Sequence, residues 1–193
     1  MKKNFILLCA TALSLAVVSC KKETTGSNDI EGDWKFVEIQ ASTVSTSQTS
    51  FGGTTMKTVT TSNYTTINNA GTLKIDQSQM TGNGMSYGVN TMAHVTIYQN
   101  GTVSDTMSFP MVSSLSGFTN TASYVKVGSD SLYFPNGATF MGSVQGSSGP
   151  SGTKYRIEQN RLIMTSANSR VVTDPSSGQV STQQASGNII FEK

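Results

Sequence analysis

Thr91-Met92-Ala93-His94-Val95-Thr96-Ile97-Tyr98 runs straight into Gln99-Asn100-Gly101-Thr102. In an extended chain, Ala93, Val95 and Ile97 fall on one face, and Met92, His94, Thr96 and Tyr98 on the other. That period of two, with β-branched and aromatic residues throughout, is the signature of a strand. A type I′ two-residue hairpin turn needs positive φ at both central positions, which Asn-Gly accepts readily. Residues 102–108 are therefore expected to return antiparallel and to end before Pro110, which has no N–H to give a ladder.

The same grammar extends in both directions. Thr72-Leu73-Lys74-Ile75-Asp76 alternates after an Asn69-Ala70-Gly71 turn. Tyr124-Val125-Lys126-Val127 and Ser131-Leu132-Tyr133-Phe134 flank Gly128-Ser129-Asp130, and Tyr155-Arg156-Ile157-Glu158 and Leu162-Ile163-Met164 flank Gln159-Asn160-Arg161. Asp174-Pro175-Ser176-Ser177-Gly178 reads as a turn before the closing strands, and residues 142–152 as a flexible Gly/Ser loop. Residues 40–69 are rich in Ser and Thr, which fits either long strands with one polar face or a mobile lid over a barrel mouth; the favoured reading is a strand at 55–61 with a loop at 43–53. About eight to ten short strands with little helix imply an all-β, antiparallel barrel or sandwich.

Composition agrees. Charged residues are 12% of the 193, about half the usual share, and Ser, Thr, Asn, Gln and Gly fill the gap. Helix formers are scarce beyond the N-terminus while Thr, Val and aromatics are common, which favours strands. The 13 basic and 11 acidic residues form no basic stripe, so no nucleic-acid partner is expected.

The first strand is read from Ile30-Glu31-Gly32-Asp33-Trp34-Lys35-Phe36-Val37-Glu38-Ile39, with Trp34 and Phe36 on one face and Val37 and Ile39 on the other. A Gly-x-Trp at Gly32–Trp34 opening the first strand of a β domain resembles the lipocalin superfamily. So does the ending, Asn188-Ile189-Ile190-Phe191-Glu192-Lys193, a strand closing on an aromatic and a basic residue. The resemblance is greatest to the short lipocalin-like domains of bacterial lipoproteins. It implies a calycin-type barrel over residues 30–193, with Trp34 at its floor and an arginine over that ring, Arg161 or Arg170.

The N-terminus supplies an address. Met1-Lys2-Lys3-Asn4 is positive, and the apolar run from Phe5 to Val18 is short of the roughly 20 residues that span a bilayer as a helix. Val17-Val18-Ser19-Cys20 resembles the lipobox of bacterial lipoproteins. The resemblance implies cleavage before Cys20 and a diacylglycerol on its sulfur, with residues 1–19 as signal peptide and 20–29 as acylated cysteine and polar tether. Two or more acyl chains would hold the protein on a membrane, expected to be the outer one, facing periplasm or cell surface. Cys9 leaves with the signal peptide, so neither a disulfide nor a cysteine metal site is expected.

Little in the rest points to catalysis. His94 is the sole histidine, and a lone histidine in a strand reads as a structural side chain. Gly82-Asn83-Gly84-Met85-Ser86-Tyr87-Gly88 has the wrong spacing and context for a dinucleotide loop and reads as a turn. Asp29, Glu31 and Asp33 alternate but lack the remainder of a calcium loop, and a solvated strand edge accounts for them. Met56, Met80, Met85, Met92, Met107, Met111, Met141 and Met164 fall in or beside strands, where they either fill the core or line an adaptable apolar pocket. The expectation is a non-enzyme without metal or cofactor, binding a small apolar or amphipathic molecule through Trp34, Met92 and Tyr98. The alternative is an interaction module presenting its outer face to a protein or glycan.

Overall fold

The computed structural model describes residues 30–140 and 149–193. The expected signal peptide, Cys9, Cys20, the tether with Asp29, and Met141 with most of the 142–152 loop lie outside the described residues. The described chain holds ten strands: β1 (Gly32–Phe51), β2 (Thr54–Thr65), β3 (Ile67–Ile75), β4 (Gln79–Gln99), β5 (Thr102–Ser123), β6 (Val125–Val127), β7 (Ser131–Phe134), β8 (Ser151–Glu158), β9 (Arg161–Thr173) and β10 (Val180–Glu192). All belong to one antiparallel sheet, so the all-β expectation holds.

The sheet is two meanders joined side by side. In the first, β2 and β3 share one lane between β1 and β4. Thr66 separates them, its N–H bonded to the Ile39 carbonyl at 2.9 Å and its Oγ1 accepting the Ile39 N–H at 2.8 Å. β1 pairs with β3 over residues 32–35 and with β2 over residues 40–51, and β4 does likewise, which closes a ring of hydrogen bonds through four strands. β5 then pairs with β4. The second meander runs from β6 to β10 in chain order, and β10 pairs with β1 along most of its length. Only Tyr124 lies between β5 and β6, so the two ends of the strand order are covalently joined. Tyr124 is fixed there by its N–H to Ser78 O (2.8 Å) and its hydroxyl to Asp76 O (2.6 Å).

β1, β3, β4, β5, β7, β8, β9 and β10 contribute buried side chains to the lower part of the molecule, here called the base, and its centre is packed with large apolar side chains. Trp34, Phe36, Leu73, Met80, Met85, Leu132, Phe134, Phe140, Leu162, Met164 and Phe191 are all buried. Phe36 meets Tyr87 edge-on at 6.2 Å and Phe191 at 5.8 Å, and Phe134 meets Phe140 at 5.6 Å. Each such side chain contributes roughly 1.5–3 kcal/mol by leaving water. The base is where the fold's stability is concentrated.

β3, β6, β7 and β8 are short, and they stop while the others continue. Above them β1, β2, β4, β5, β9 and β10 rise as a polar sheet, and residues 41–51 of β1 alone extend it by roughly 35 Å. Its two outer strands have unpaired edges: among the described residues, 102–112 of β5 bond to β4 alone and 166–173 of β9 to β10 alone.

Several local expectations change. A β-bulge between Phe36 and Glu38 inserts Val37, so Ile39 joins Trp34 and Phe36 on the buried face instead of opposing them. The expected loop at 43–53 is strand as far as Phe51, with only Gly52-Gly53 turning, because β2 and β10 supply ladders on both sides of β1. Asn69-Ala70-Gly71 and the 82–88 segment are irregularities inside β3 and β4, not turns between strands. β5 passes through Pro110 and continues to Ser123, which an edge strand permits because one of its sides carries no ladder. Both Asn100 (φ 51°) and Gly101 (φ 85°) take the positive φ that the Asn-Gly hairpin requires.

Candidate functional site

The site is set by a change of side-chain size where the base meets the rising sheet. On β10 the inward positions run Phe191, Ile189, Gly187, Ala185, Gln183, and their partners on β1 run Phe36, Ile39, Ala41, Thr43, Ser45. Large rings give way to small groups, and a cavity of about 320 Å³ opens above them. Its floor is Ile39, Ala41, Ile189 and Gly187, with Tyr64 of β2 as one wall. Ser166 lies level with Gly187, and Ser45, Asn168, Arg170 and Gln183 form the polar upper part. Gly187 is dictated by backbone approach: a Cβ there would collide with the Gln40 carbonyl and lie 3.1 Å from Ala41 Cα.

The electrostatics are simple. Burial raises the Tyr64 phenol above its ordinary value. Tyr87, beneath, is pushed up to about 12, first by burial and then by Tyr64. Both phenols are therefore neutral at any physiological pH. The Tyr87 hydroxyl is buried without a hydrogen-bond partner among the described residues. Thr43 Oγ1 and Ser62 Oγ share a hydrogen bond of 2.7 Å beside the cavity. The lining thus offers an apolar floor, neutral hydroxyls and amides, and one guanidinium among the described residues.

The side chains singled out from sequence lie elsewhere. Trp34 is 2% exposed in the base, with Nε1 donating to Ile30 O at 2.7 Å, and it does not line the cavity. The cation over its ring is Lys193, with Nζ 4.6 Å from the centroid, rather than Arg161 or Arg170. Met92 and Tyr98 occupy the outward face of β4, because Ala93 and Val95 on the other parity are buried. Tyr98 stands beside Lys57 Nζ at 5.7 Å. None of the three therefore touches the cavity; of the residues that do, Tyr64 and Gln183 were not expected there, and Arg170 was expected only as a candidate to cover Trp34. Their signal, small residues alternating at Ala41/Thr43 and at Ala185/Gly187, has meaning only once β1 and β10 are placed side by side.

The remaining candidates divide similarly. Met80, Met85 and Met164 fill the base, whereas Met56, Met92 and Met107 are exposed on the rising sheet. His94 is exposed, with Nδ1 2.8 Å from Ser108 Oγ across the β4–β5 pair. Glu31 pairs with Lys126 at 3.7 Å. Among the described residues no three His, Cys, Asp or Glu side chains gather as a metal site. Comparison of the chain with protein-family models, with curated proteins and with solved structures gives no match.

Proposed function

We propose that this chain is a lipid-anchored protein of the bacterial envelope whose strands close as a lipocalin-like barrel, and that it holds a small amphipathic molecule in its cavity without catalysing a reaction. The observation that carries the binding reading is the cavity itself. It has an apolar floor of Ile39, Ala41 and Ile189 and a polar upper part, and it stands directly above a fully packed base. Binding sites of this size combine apolar walls with a few convergent polar groups. Closure is supported by the junction at Tyr124, which joins the last strand of one meander to the first of the other. Anchoring is supported by the run Val17-Val18-Ser19-Cys20.

Mass spectrometry of the protein purified from its own cells tests both parts. The expected result is a diacylglyceryl adduct on Cys20 and a non-covalent small molecule retained under native conditions. That molecule should be lost from an Ala185→Phe variant, which fills the cavity. Retention of the molecule by that variant would refute the binding reading, and an unmodified Cys20 would refute the anchor.

A second reading is favoured by the unpaired edges of β5 and β9, beside which Val112 and Val171 stand exposed. An envelope protein or glycan seated on this outer surface would make the molecule a structural module. A native complex that survives Ala185→Phe would support that reading over the first.

A further inference from the structure

We propose that the cavity selects single-tailed amphiphiles whose head group is an oxyanion, with Arg170 as its receptor. This inference rests on the binding reading above and specifies the ligand class. Arg170 of β9 lies opposite Gln183 of β10, and Gln183 lies opposite Ser45 of β1. The three therefore form one row of the ladder, on the face that lines the cavity. Guanidinium, carboxamide and hydroxyl in a row can all donate hydrogen bonds to one oxygen-rich head group.

The charge balance is one-sided. Among the described residues no carboxylate lines the cavity, and Arg170 makes no ion pair or hydrogen bond there. The acid closest to it in the chain, Asp174, is occupied at the β9–β10 turn by the Ser176 and Ser177 hydroxyls at 2.7 and 2.8 Å. A guanidinium left without a counter-ion at the mouth of an apolar-floored cavity favours an anion and disfavours a cation.

The spacing fixes the ligand's form. Ile189 and Gln183 lie six residues apart on one strand, about 20 Å along the sheet. The molecule that reaches both is elongated, with an aliphatic tail on Ile39 and Ile189 and its charge at the Arg170 row. A carboxylate and a phosphate monoester share this chemistry, and the guanidinium fork suits either.

The test uses the full-length protein in amphipol, with amphipol alone as the partition blank, and four probes of one tail length: dodecanoate, dodecyl phosphate, dodecanol and dodecyltrimethylammonium. The expected result is that at least one anion binds about tenfold or more tighter than dodecanol. The cationic probe should bind more weakly than dodecanol. Arg170→Gln should erase the anion's advantage over dodecanol, and Arg170→Lys should restore part of it. Preference for dodecyl phosphate would assign the head group to a phosphate ester, and preference for dodecanoate to a free carboxylate. Equal affinity for anions and dodecanol, or an anion preference that survives Arg170→Gln, would overturn the inference while leaving the cavity a binding site. Failure of all four probes to bind would overturn the binding reading as well.

Discussion

The base and the rising sheet are built from the same strands, yet they are held by different forces. In the base, β1 contributes Trp34 and Phe36 to a core that also takes buried side chains from β3, β4, β7, β9 and β10. Some 15 residues later the same strand contributes Thr49 and Phe51, and Phe51 is 89% exposed at the hairpin tip. Hydrophobic burial dominates below. Above, apolar burial shrinks to a few small side chains such as Ala93 and Val95, and the backbone ladder and hydroxyl pairs such as Thr43–Ser62 and Ser50–Thr55, each worth about 1 kcal/mol or less net, carry more of the load. The difference shows that strand length need not track core size: a ladder anchored in a well-packed base can carry a polar extension that would be marginal by itself.

The contrast is broken most directly at Phe191. Phe191→Ala should destabilise the protein by about 3–5 kcal/mol in urea unfolding, because it empties the centre of the base. Thr58→Ala, on a half-buried position of β2 in the rising sheet, should change stability by less than about 0.5 kcal/mol. If the two variants cost the same, the division of forces is wrong.

A smaller effect is expected where the two regions meet. Gly187→Ala drives a methyl group into the Gln40 carbonyl and should cost about 1–3 kcal/mol by prying β10 from β1. Amide exchange should then quicken in residues 180–188 ahead of the base. Uniform quickening would mean that the two regions open as one unit.

The smallest effect concerns pH. Asp174 is held down to about 2 by the hydroxyls of Ser176 and Ser177 and the Ser176 N–H, in the turn capping β9 and β10. A folded value below the unfolded one means that this stabilisation is complete above about pH 4 and is lost as the pH falls toward 2. Asp76 lies low for a similar reason, with N–H groups of Ser78 and Gln79 on its carboxylate, but its turn belongs to the base. Asp174→Asn should remove the acid-induced loosening of residues 170–182, read by amide exchange between pH 5 and 2, and leave that around Asp76 intact. Loosening that persists in the variant would place its cause elsewhere.

Much of the secondary structure was legible because it is local. The Asn100-Gly101 hairpin, the β6–β7 and β8–β9 hairpins and the Asp174 turn each depend on residues within a few positions of one another. The misread segments are those where a neighbouring lane overrides local preference. Residues 43–51 lack strand-forming apolar alternation, yet ladders from β2 and β10 hold them extended. Pro110 would end a central strand but is tolerated on an edge, and nothing nearby in sequence says which lane it occupies.

The sequence by itself determined the strand class and most hairpins, since period-two alternation and turn chemistry act over short range. It also correctly set Ala93 and Val95 on the face opposite Met92 and Tyr98. Only the tertiary structure decided which face is inward, where the packing stops, and that Ile39, Tyr64, Arg170 and Gln183 surround one space. The reason is register. A bulge at Val37 or a lane shared by β2 and β3 shifts which side chains meet across strands, and residues more than a hundred positions apart have no local chemistry that could announce it.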